Sequence, residues 1–153
     1  MRSIMNDESF HKKGYSISTD KGLIDFDVVH GYISKDSYWA QQMPAATLKR
    51  AIENSICFGI YKEKQQIGFA RVISDQATFA YICDVFVLPD FRGAGLSKWL
   101  IQTIINYPDL QGLRRWSLAT LDAHGLYKQM GFTELSKPGN WMEIYRPEVH
   151  KQT

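Results

Sequence analysis

The first candidate for chemistry is a glycine-rich run, Arg92–Ser97 (RGAGLS), between a strand-like stretch and an amphipathic stretch. Glycines allow the backbone to approach a ligand closely and to turn its N–H groups towards it. The first turn of a following helix adds unpaired N–H donors and a partial positive charge. The run therefore indicates a phosphate or pyrophosphate site, to which Arg92 and Lys98 could add charge. A plain tight turn is the alternative interpretation.

The common nucleotide-binding patterns fit this run poorly. A Walker loop needs Gly-x4-Gly-Lys followed by Ser or Thr, and the run does not contain it. A dinucleotide fingerprint needs a third glycine, where Lys98 stands, and an acidic residue about twenty positions later, which residues 110–115 do not provide. A nucleotide-binding regulator that holds ATP or NAD at this loop remains as a third hypothesis.

The run resembles the Arg/Gln-x-x-Gly-x-Gly/Ala motif of the GNAT superfamily of N-acetyltransferases, with Ser97 in the last place. The approach strand Asp84–Pro89 (DVFVLP) also looks like that family. So does Leu121–Phe132 (LDAHGLYKQMGF), which is similar to the family's Asn-Ala…Tyr-x-x-x-Gly-Phe segment. With the order of strands included, the resemblance covers Tyr15 to Tyr145.

The resemblance implies a fold of the α/β (α+β) class, a single-domain acyl-CoA N-acyltransferase fold. Its sheet is expected to be mixed and mostly antiparallel, flanked by helices. We expect the acetyltransferase domain to span residues 14–147. A flexible N-terminal segment over residues 1–13 and a C-terminal tail over residues 148–153 complete the predicted organisation.

The resemblance also implies a site for acetyl-CoA as cosubstrate. The pyrophosphate would bind backbone N–H groups of the glycine-rich run, and the pantetheine arm would pair with the strand before it like an added strand. Asp122 stands where the family often has Asn, although it could instead cap the following helix. The cofactor-binding residues implied in this way are Val85, Phe86, Val87, Arg92, Gly93, Ala94, Gly95, Leu96, Ser97 and Asp122.

Acetyl transfer to an amine needs a neutral amine, a stabilised tetrahedral oxyanion and a protonated leaving thiolate. An amine of pKa ~10.4 is protonated at pH 7, and removing that proton costs about 4.6 kcal/mol. Backbone N–H groups of Asp84–Leu88 could stabilise the oxyanion. By resemblance, Tyr127 takes the position of the tyrosine whose hydroxyl reaches the coenzyme sulfur, so it is the candidate acid. An aromatic packed on the core with a wet hydroxyl is the alternative.

The candidate base is Asp84, a carboxylate among apolar neighbours. A salt bridge to Arg71 on the neighbouring strand is the alternative role. The surrounding strand is similar to that of polyamine acetyltransferases, but Cys83 replaces the glutamate proposed as base there. His124 could titrate near neutrality. A Cys83–His124 nucleophile pair is conceivable, but a cysteine in the middle of a strand is usually part of the core.

Hydrophobic periodicity and turn residues predict the elements that position these groups. Strands are predicted at Tyr15–Thr19, Ile56–Tyr61, Ile67–Ser74, Phe79–Leu88, Arg115–Leu121, Phe132–Leu135 and Trp141–Tyr145. Helices are predicted from Asp25 or Asp27, after Pro44, from Leu96 to before Pro108, and over Ala123–Met130, with Gly131 as its C-cap. Residues 1–13 show no pattern and predict a loose lead-in.

Composition narrows the class of protein. The 153 residues are 44% hydrophobic, and the net charge of +2 argues against a protein that mainly coats nucleic acid. The two cysteines, Cys57 and Cys83, are predicted to be free thiols. His11, His30 and His150 lack metal-ligand spacing, so no metal is expected. No run approaches the ~20 apolar residues of a membrane span, and the polar start argues against a signal peptide. We expect a cytoplasmic protein.

The leading hypothesis is an N-acetyltransferase that transfers acetyl from acetyl-CoA to a primary amine, directly, in a ternary complex. A non-catalytic acyl-CoA binding or sensing module with the same fold is the alternative. The expected partner is a small-molecule or peptide amine, not nucleic acid or a membrane, and a homodimer is compatible with the family. Tyr38, Trp39 and Trp141 stand where the family builds its acceptor pocket, although ordinary packing would also explain them.

Overall fold

A computed structural model describes residues 7–151, which form five strands and five α-helices. The strands are β1 (Tyr15–Ser18), β2 (Ile56–Lys62), β3 (Gln65–Ser74), β4 (Phe79–Val87) and β5 (Arg115–Leu118). The helices are α1 (Asp7–Lys12), α2 (Phe26–Gly31), α3 (Ala45–Glu53), α4 (Leu96–Ile105) and α5 (His124–Gln129). A π-helical turn, Tyr32–Asp36, continues α2. None of the helices in the described range is long and apolar enough to cross a membrane.

The sheet has the order β1-β2-β3-β4-β5 and is mixed, as expected. Strands β1 to β4 pair antiparallel, with β2, β3 and β4 as a meander of consecutive strands, whereas β5 runs parallel to β4. A parallel neighbour requires a crossover connection, and here α4 supplies it. The mixed, mostly antiparallel sheet flanked by helices is the α/β (α+β) arrangement that the sequence predicts.

Helices cover both faces of the sheet because β2, β3 and β4 carry apolar side chains on both sides. On one face, the stripe Leu96, Leu100 and Ile104 of α4 is buried, together with α1 and α5. On the other face, α2 and α3 pack Val29 and Leu48 onto the sheet. The predicted stripe of α4 and the predicted helices are confirmed, and Asp25 caps α2 by accepting from the Val28 N–H.

The prediction of a loose lead-in is wrong for α1. Phe10 is buried and stacks on Trp99 of α4, with ring centroids 4.3 Å apart. The Asp7 carboxylate accepts a hydrogen bond from the Trp99 indole N–H. A helix of less than two turns shows no readable periodicity and depends on tertiary contacts such as these two. Residues 1–6 lie outside the described residues.

The predictions for the C-terminal part also need correction. Strand β5 ends at Leu118 rather than Leu121, where β4 stops pairing with it. The predicted strands Phe132–Leu135 and Trp141–Tyr145 are irregular in the structure. Strand propensity alone is insufficient, since a strand needs a partner for its backbone. The boundary at residue 147 stays a prediction, and residues 152–153 of the predicted tail lie outside the described residues.

Candidate active site

A β-bulge interrupts β4 at the level of the predicted chemistry. Phe69 pairs with Phe86 and Arg71 pairs with Cys83, so two residues of β4 face the single residue between them on β3. Asp84 lies in this bulge with φ +55°, a left-handed conformation that Asp tolerates better than most residues. A bulge of this kind bends a strand and changes the direction of its backbone N–H groups.

The buried Asp84 carboxylate has protein partners at both oxygens. Oδ2 accepts from Arg71 Nε at 2.8 Å, and Oδ1 accepts from Trp39 Nε1 at 2.9 Å. Arg71 also donates to Ser55 Oγ at 3.1 Å. Burial alone would lower the pKa of Arg71, but the charge and hydrogen bond of Asp84 outweigh it and raise that pKa. The structure thus shows the salt bridge that the sequence offered as the alternative, while a role of Asp84 as base stays a prediction.

An opening between β4 and β5 begins beside the bulge. The ladder between the two strands ends at Ile82–Leu118, whereas β4 continues to Val87. The β4 edge beyond Ile82 therefore has no β5 partner in the described chain. Of the predicted pantetheine-binding residues, Val85 is half-buried and Phe86 and Val87 are buried. A ligand in this opening could therefore contact the main chain of these residues rather than their side chains.

The glycine-rich run forms the turn between β4 and α4. Gly93 and Gly95 have φ +86° and +80°, which explains glycine at both places. Gly95 is the N-cap of α4, so the N–H groups of Leu96 and Ser97 have no acceptor within the helix. The Leu96 side chain is buried in the core, while Arg92, Gly93, Ala94 and Gly95 are exposed. The turn presents unpaired backbone donors to solvent, as an anion site requires.

The Arg92 guanidinium, which the sequence analysis expects to add charge to a phosphate site, makes hydrogen bonds within the protein. Its Nε donates to the Val87 carbonyl at 2.9 Å, and its Nη2 donates to the Tyr32 hydroxyl at 2.9 Å. The Tyr32 ring stacks on Phe86 at 4.1 Å. Arg92 thus ties the turn to the end of β4. Sequence reasoning missed Tyr32, because no local signal marks a contact between residues sixty positions apart.

Tyr127 lies on α5, lines a cavity together with Leu118 and His124, and is 8% exposed. Its ring meets the Phe132 ring edge-on at 5.8 Å. Burial, with a smaller contribution from Tyr38, raises the pKa of Tyr127 to about 12. The phenol is therefore protonated at neutral pH, and among residues 7–151 its hydroxyl makes no hydrogen bond.

Comparison with known proteins identifies the family. The sequence profile of the "Acetyltransferase (GNAT) family" matches residues 26–132. The acetyltransferase FG08082 of Gibberella zeae is 33% identical over 157 residues, which covers 88% of each chain. The chain belongs to the GNAT acetyltransferase family. It is an acyltransferase.

Solved GNAT structures show the same fold. The crystal structure of a GNAT-family acetyltransferase from Xanthomonas campestris shares 51% identity with a TM-score of 0.88, covering 90% of this chain and 97% of that one. A Clostridium acetobutylicum acetyltransferase, solved with acetyl-CoA, has a TM-score of 0.63 at 15% identity, covering 86% and 94%. At that low identity the second likeness concerns the fold alone.

The aromatic residues expected at the GNAT acceptor pocket separate into two groups. The Tyr38 hydroxyl accepts from the Leu121 N–H at 2.9 Å, and Trp39 meets Tyr38 edge-on at 5.2 Å. Both therefore lie at the opening, beside the loop that follows β5. Trp141 does not, since its ring lies 4.8 Å from the guanidinium of Arg115, at the opposite end of β5. A role of Trp141 at an acceptor pocket stays a prediction.

The polar residues before α5 also differ from expectation. Ala123 is the N-cap of α5 without a side-chain hydrogen bond, so the capping role considered for Asp122 is wrong. The Thr120 hydroxyl instead accepts from the Ala123 N–H at 3.1 Å. Asp122 and His124 are exposed, and His124 shares a cavity lining with Tyr127. Cofactor binding by Asp122 stays a prediction.

The cysteines do not fit a nucleophilic role in this GNAT enzyme. Both are free thiols, as predicted. Burial, the largest cause, raises the pKa of Cys57 to about 11 and that of Cys83 to about 12. A protonated thiol is a poor nucleophile at neutral pH. Within residues 7–151 no group of three or more His, Cys, Asp or Glu side chains could hold a metal ion.

Proposed function

We propose that this GNAT enzyme is an N-acetyltransferase that transfers an acetyl group from acetyl-CoA to a primary amine, directly, in a ternary complex. The observation that carries the proposal is the position of Tyr127. Its protonated hydroxyl has no acceptor within residues 7–151, and its side chain lines a cavity together with Leu118, the residue of β5 at which pairing with β4 ends. A proton donor beside a binding groove suits the departure of a thiolate.

The residues present fit acetyl-CoA, which would supply the activated thioester. The N–H groups from Gly93 to Ser97 would bind its diphosphate, because they open to solvent at the start of a ten-residue helix. The β4 main chain of Val85 to Val87 would bind its extended arm. Asp122 would contact the cofactor through its exposed carboxylate.

Tyr127 would hold a proton at its Oη for the leaving sulfur. A phenol of pKa about 12 is a weaker acid than a thiol of pKa ~8.5, so it acts first as a hydrogen-bond donor to the developing negative charge. The sulfur then takes the Tyr127 proton, the phenolate recovers a proton from solvent, and the proton that the amine releases as the new bond forms keeps the total balanced. Burial thus keeps the phenol protonated throughout the working pH range.

The bulge of β4 would supply donors to the reacting carbonyl. Its N–H groups are turned out of the regular ladder, and a donor aimed at a developing oxyanion is worth roughly 100- to 1,000-fold in rate. We assign Asp84 to the positioning of this bulge, because both its oxygens already have partners. The amine proton would then pass to solvent or to His124. The acceptor would be a small molecule or peptide that contacts Tyr38 and Trp39.

Kinetics of Tyr127→Phe test the proposal. Free coenzyme A thiol is measured with acetyl-CoA and a panel of primary amines. We expect kcat to fall roughly 100- to 10,000-fold with coenzyme A binding unchanged in calorimetry, since only the proton donor is lost. Wild-type rates should rise with pH as the amine loses its proton, without a decline below pH ~10, because the raised pKa keeps Tyr127 protonated.

Tyr107→Phe is the matched control. It removes the hydroxyl of a partly buried tyrosine whose ring packs on Phe58, away from the opening. This variant should keep the wild-type rate. Full activity of Tyr127→Phe would contradict the acid role. Tight coenzyme A binding with no amine-dependent turnover would favour the non-catalytic alternative.

A further inference from the structure

Two stretches of backbone separate where the ladder between β4 and β5 ends. Strand β4 continues past Ile82 into the bulge at Asp84, whereas the chain after Leu118 no longer pairs with β4 and leads to α5. Within a ladder, backbone hydrogen bonds keep neighbouring strands 4.7–4.9 Å apart. Beyond Ile82 and Leu118 those bonds are missing, so other contacts must set the distance between the two stretches.

Two consecutive residues, Tyr38 and Trp39, bind one stretch each. The Trp39 indole N–H donates to the Asp84 carboxylate in the bulge at 2.9 Å. The Tyr38 hydroxyl accepts from the Leu121 N–H, in the loop that leads to α5, also at 2.9 Å. The two rings meet edge-on at 5.2 Å. Tyr38 and Trp39, which we call the aromatic bridge, therefore connect the bulge to the loop before α5 through one short segment of chain.

The backbone that carries the aromatic bridge is anchored to the protein. The Ser37 hydroxyl donates to a carbonyl of the π-helical turn at 2.6 Å and accepts from the Ala40 N–H at 3.2 Å. Ser37, Ala40 and Met43 are buried at every third position, whereas Tyr38 and Trp39 are exposed between them. Because its backbone is fixed on the core, the segment can hold both partners of the aromatic bridge in place.

Each end of the aromatic bridge adjoins one part of the proposed catalytic machinery. The Asp84 end holds the bulge whose N–H groups would face the reacting carbonyl. The Leu121 end holds the loop before α5, the helix that carries Tyr127. The Tyr38 phenol is close enough to Tyr127 to contribute to its raised pKa. The separation of the oxyanion donors from the proton donor therefore depends on the aromatic bridge.

We propose that Tyr38 and Trp39 are positioning residues, which hold the β4 bulge and the loop before α5 at the separation that acetyl transfer needs. This inference rests on the proposed function, because it gives the aromatic bridge a task in that reaction. Both residues keep exposed surface, so an acceptor can contact them while their polar atoms stay bonded to Asp84 and Leu121. They act through these two partners and not on the reacting atoms.

Steady-state kinetics of Tyr38→Phe and Trp39→Phe test the proposal. Each variant keeps an aromatic ring and loses one hydrogen bond of the aromatic bridge. We expect kcat to fall roughly 10- to 100-fold in each, because misplaced groups slow the chemical step, with the KM of the amine and the binding of coenzyme A nearly unchanged. A raised KM at unchanged kcat would show that the rings only bind the acceptor and would overturn the proposal.

The double variant distinguishes a shared role from two separate ones. Loss of either hydrogen bond releases the connection, so Tyr38→Phe combined with Trp39→Phe should lower kcat no further than the more damaging single variant. If the two effects on kcat multiply, the residues act separately and the aromatic bridge is refuted.

Trp99→Phe is the matched control for Trp39→Phe. It also removes an indole N–H from a carboxylate, that of Asp7, but on the face of the sheet that α1 covers. We expect this variant to lose stability and to keep the wild-type kcat. A loss of kcat as large as that of Trp39→Phe would assign the effect to general destabilisation and would overturn the proposal.

Amide hydrogen exchange provides a measurement that needs no turnover. Trp39 binds Asp84 and not Leu121, so a change at the Leu121 amide in Trp39→Phe must pass through the aromatic bridge. We expect the Leu121 N–H to exchange roughly 10-fold faster in Trp39→Phe than in the wild type or in Trp99→Phe. An unchanged exchange rate at Leu121 in Trp39→Phe would contradict the connection.

Failure of the proposed function gives a different result. If the wild type binds coenzyme A but transfers acetyl to no amine, the proposed function fails and this inference fails with it. If the wild type is active and Tyr127→Phe is slow while Tyr38→Phe and Trp39→Phe keep the wild-type kcat, the proposed function stands and only the positioning role is refuted.

Discussion

Single residues decide how the bulge of β4 is held. Asp84 has a positive φ, which costs of order 1–3 kcal/mol in strain unless the surroundings impose it. Arg71 and Trp39 impose it here by binding one carboxylate oxygen each. The ion pair of Arg71 and Asp84 is almost fully buried, so it contributes to the geometry of the bulge rather than to the net stability of the fold. The same carboxylate that looked like a base thus acts as a support for backbone donors.

Asp84→Asn should destabilise the fold by about 3 kcal/mol, because it leaves the buried charge of Arg71 without a counter-ion. Because Asn also tolerates the left-handed backbone conformation, the loss of stability measures the removal of the Asp84 charge and not a strained bulge. Urea unfolding of the wild type and the variant measures this difference in the free energy of unfolding. Adding Arg71→Met should restore part of the lost stability, since both charges are then removed. Strictly additive effects of the two substitutions would show that the ion pair is not coupled.

Among the elements, α5 shows how a short helix places a reactive side chain. Gly131 follows the last turn of the helix with φ +99°. The Gly131 N–H donates to the backbone carbonyl of Lys128, and the Phe132 N–H donates to the backbone carbonyl of Tyr127. This is the hydrogen-bond pattern of a Schellman motif, in which the residue after the glycine packs on the last turn. Phe132 accordingly packs against the ring of Tyr127. The helix end therefore fixes the orientation of the proposed acid.

Gly131→Ala should cost roughly 1–2 kcal/mol, because a Cβ is disfavoured at this left-handed position. Gly125→Ala in the same helix is the control, since its added Cβ meets nothing within 4 Å and its φ is ordinary. That control should stabilise the protein by about 0.5–1 kcal/mol. Urea unfolding of both variants measures the difference. Equal effects of the two substitutions would argue against a special role of the helix end.

At the scale of the whole molecule, the sheet is incomplete at one edge. The meander and β4–β5 pair bury two cores, but the chain beyond α5 adds no strand to β5 within residues 7–151. At the other edge of the β4–β5 ladder, β4 continues past Ile82 towards the turn before α4, so the proposed cosubstrate site is assembled where this ladder ends.

Thermal stability should therefore depend on the coenzyme. Because coenzyme A is expected to bind the folded state only, the Tm should rise by several degrees when its concentration is about 100 times its Kd. Differential scanning calorimetry with and without coenzyme A measures this shift. A Tm that coenzyme A leaves unchanged would argue against the proposed cosubstrate site.

Much of the fold followed from local pattern. The three meander strands, the apolar stripe of α4 and the glycines before it were predictable because periodicity and turn chemistry act over a few residues. The family followed from motifs in the right order. Helix α1 was not predictable, because the stacking of the buried Phe10 ring on Trp99 stabilises it and no local sequence pattern indicates such a contact.

The candidate site was only partly predictable for the same reason. The sequence by itself determined which residue types could do the chemistry: a glycine turn before a helix, a tyrosine on a short helix and a carboxylate in an apolar strand. The tertiary structure decided that Asp84 pairs with Arg71 and Trp39, that Arg92 ties the turn to Tyr32, and that the predicted C-terminal strands stay unpaired. Local preferences act between neighbours along the chain, whereas ion pairs and sheet edges join residues that only folding brings together.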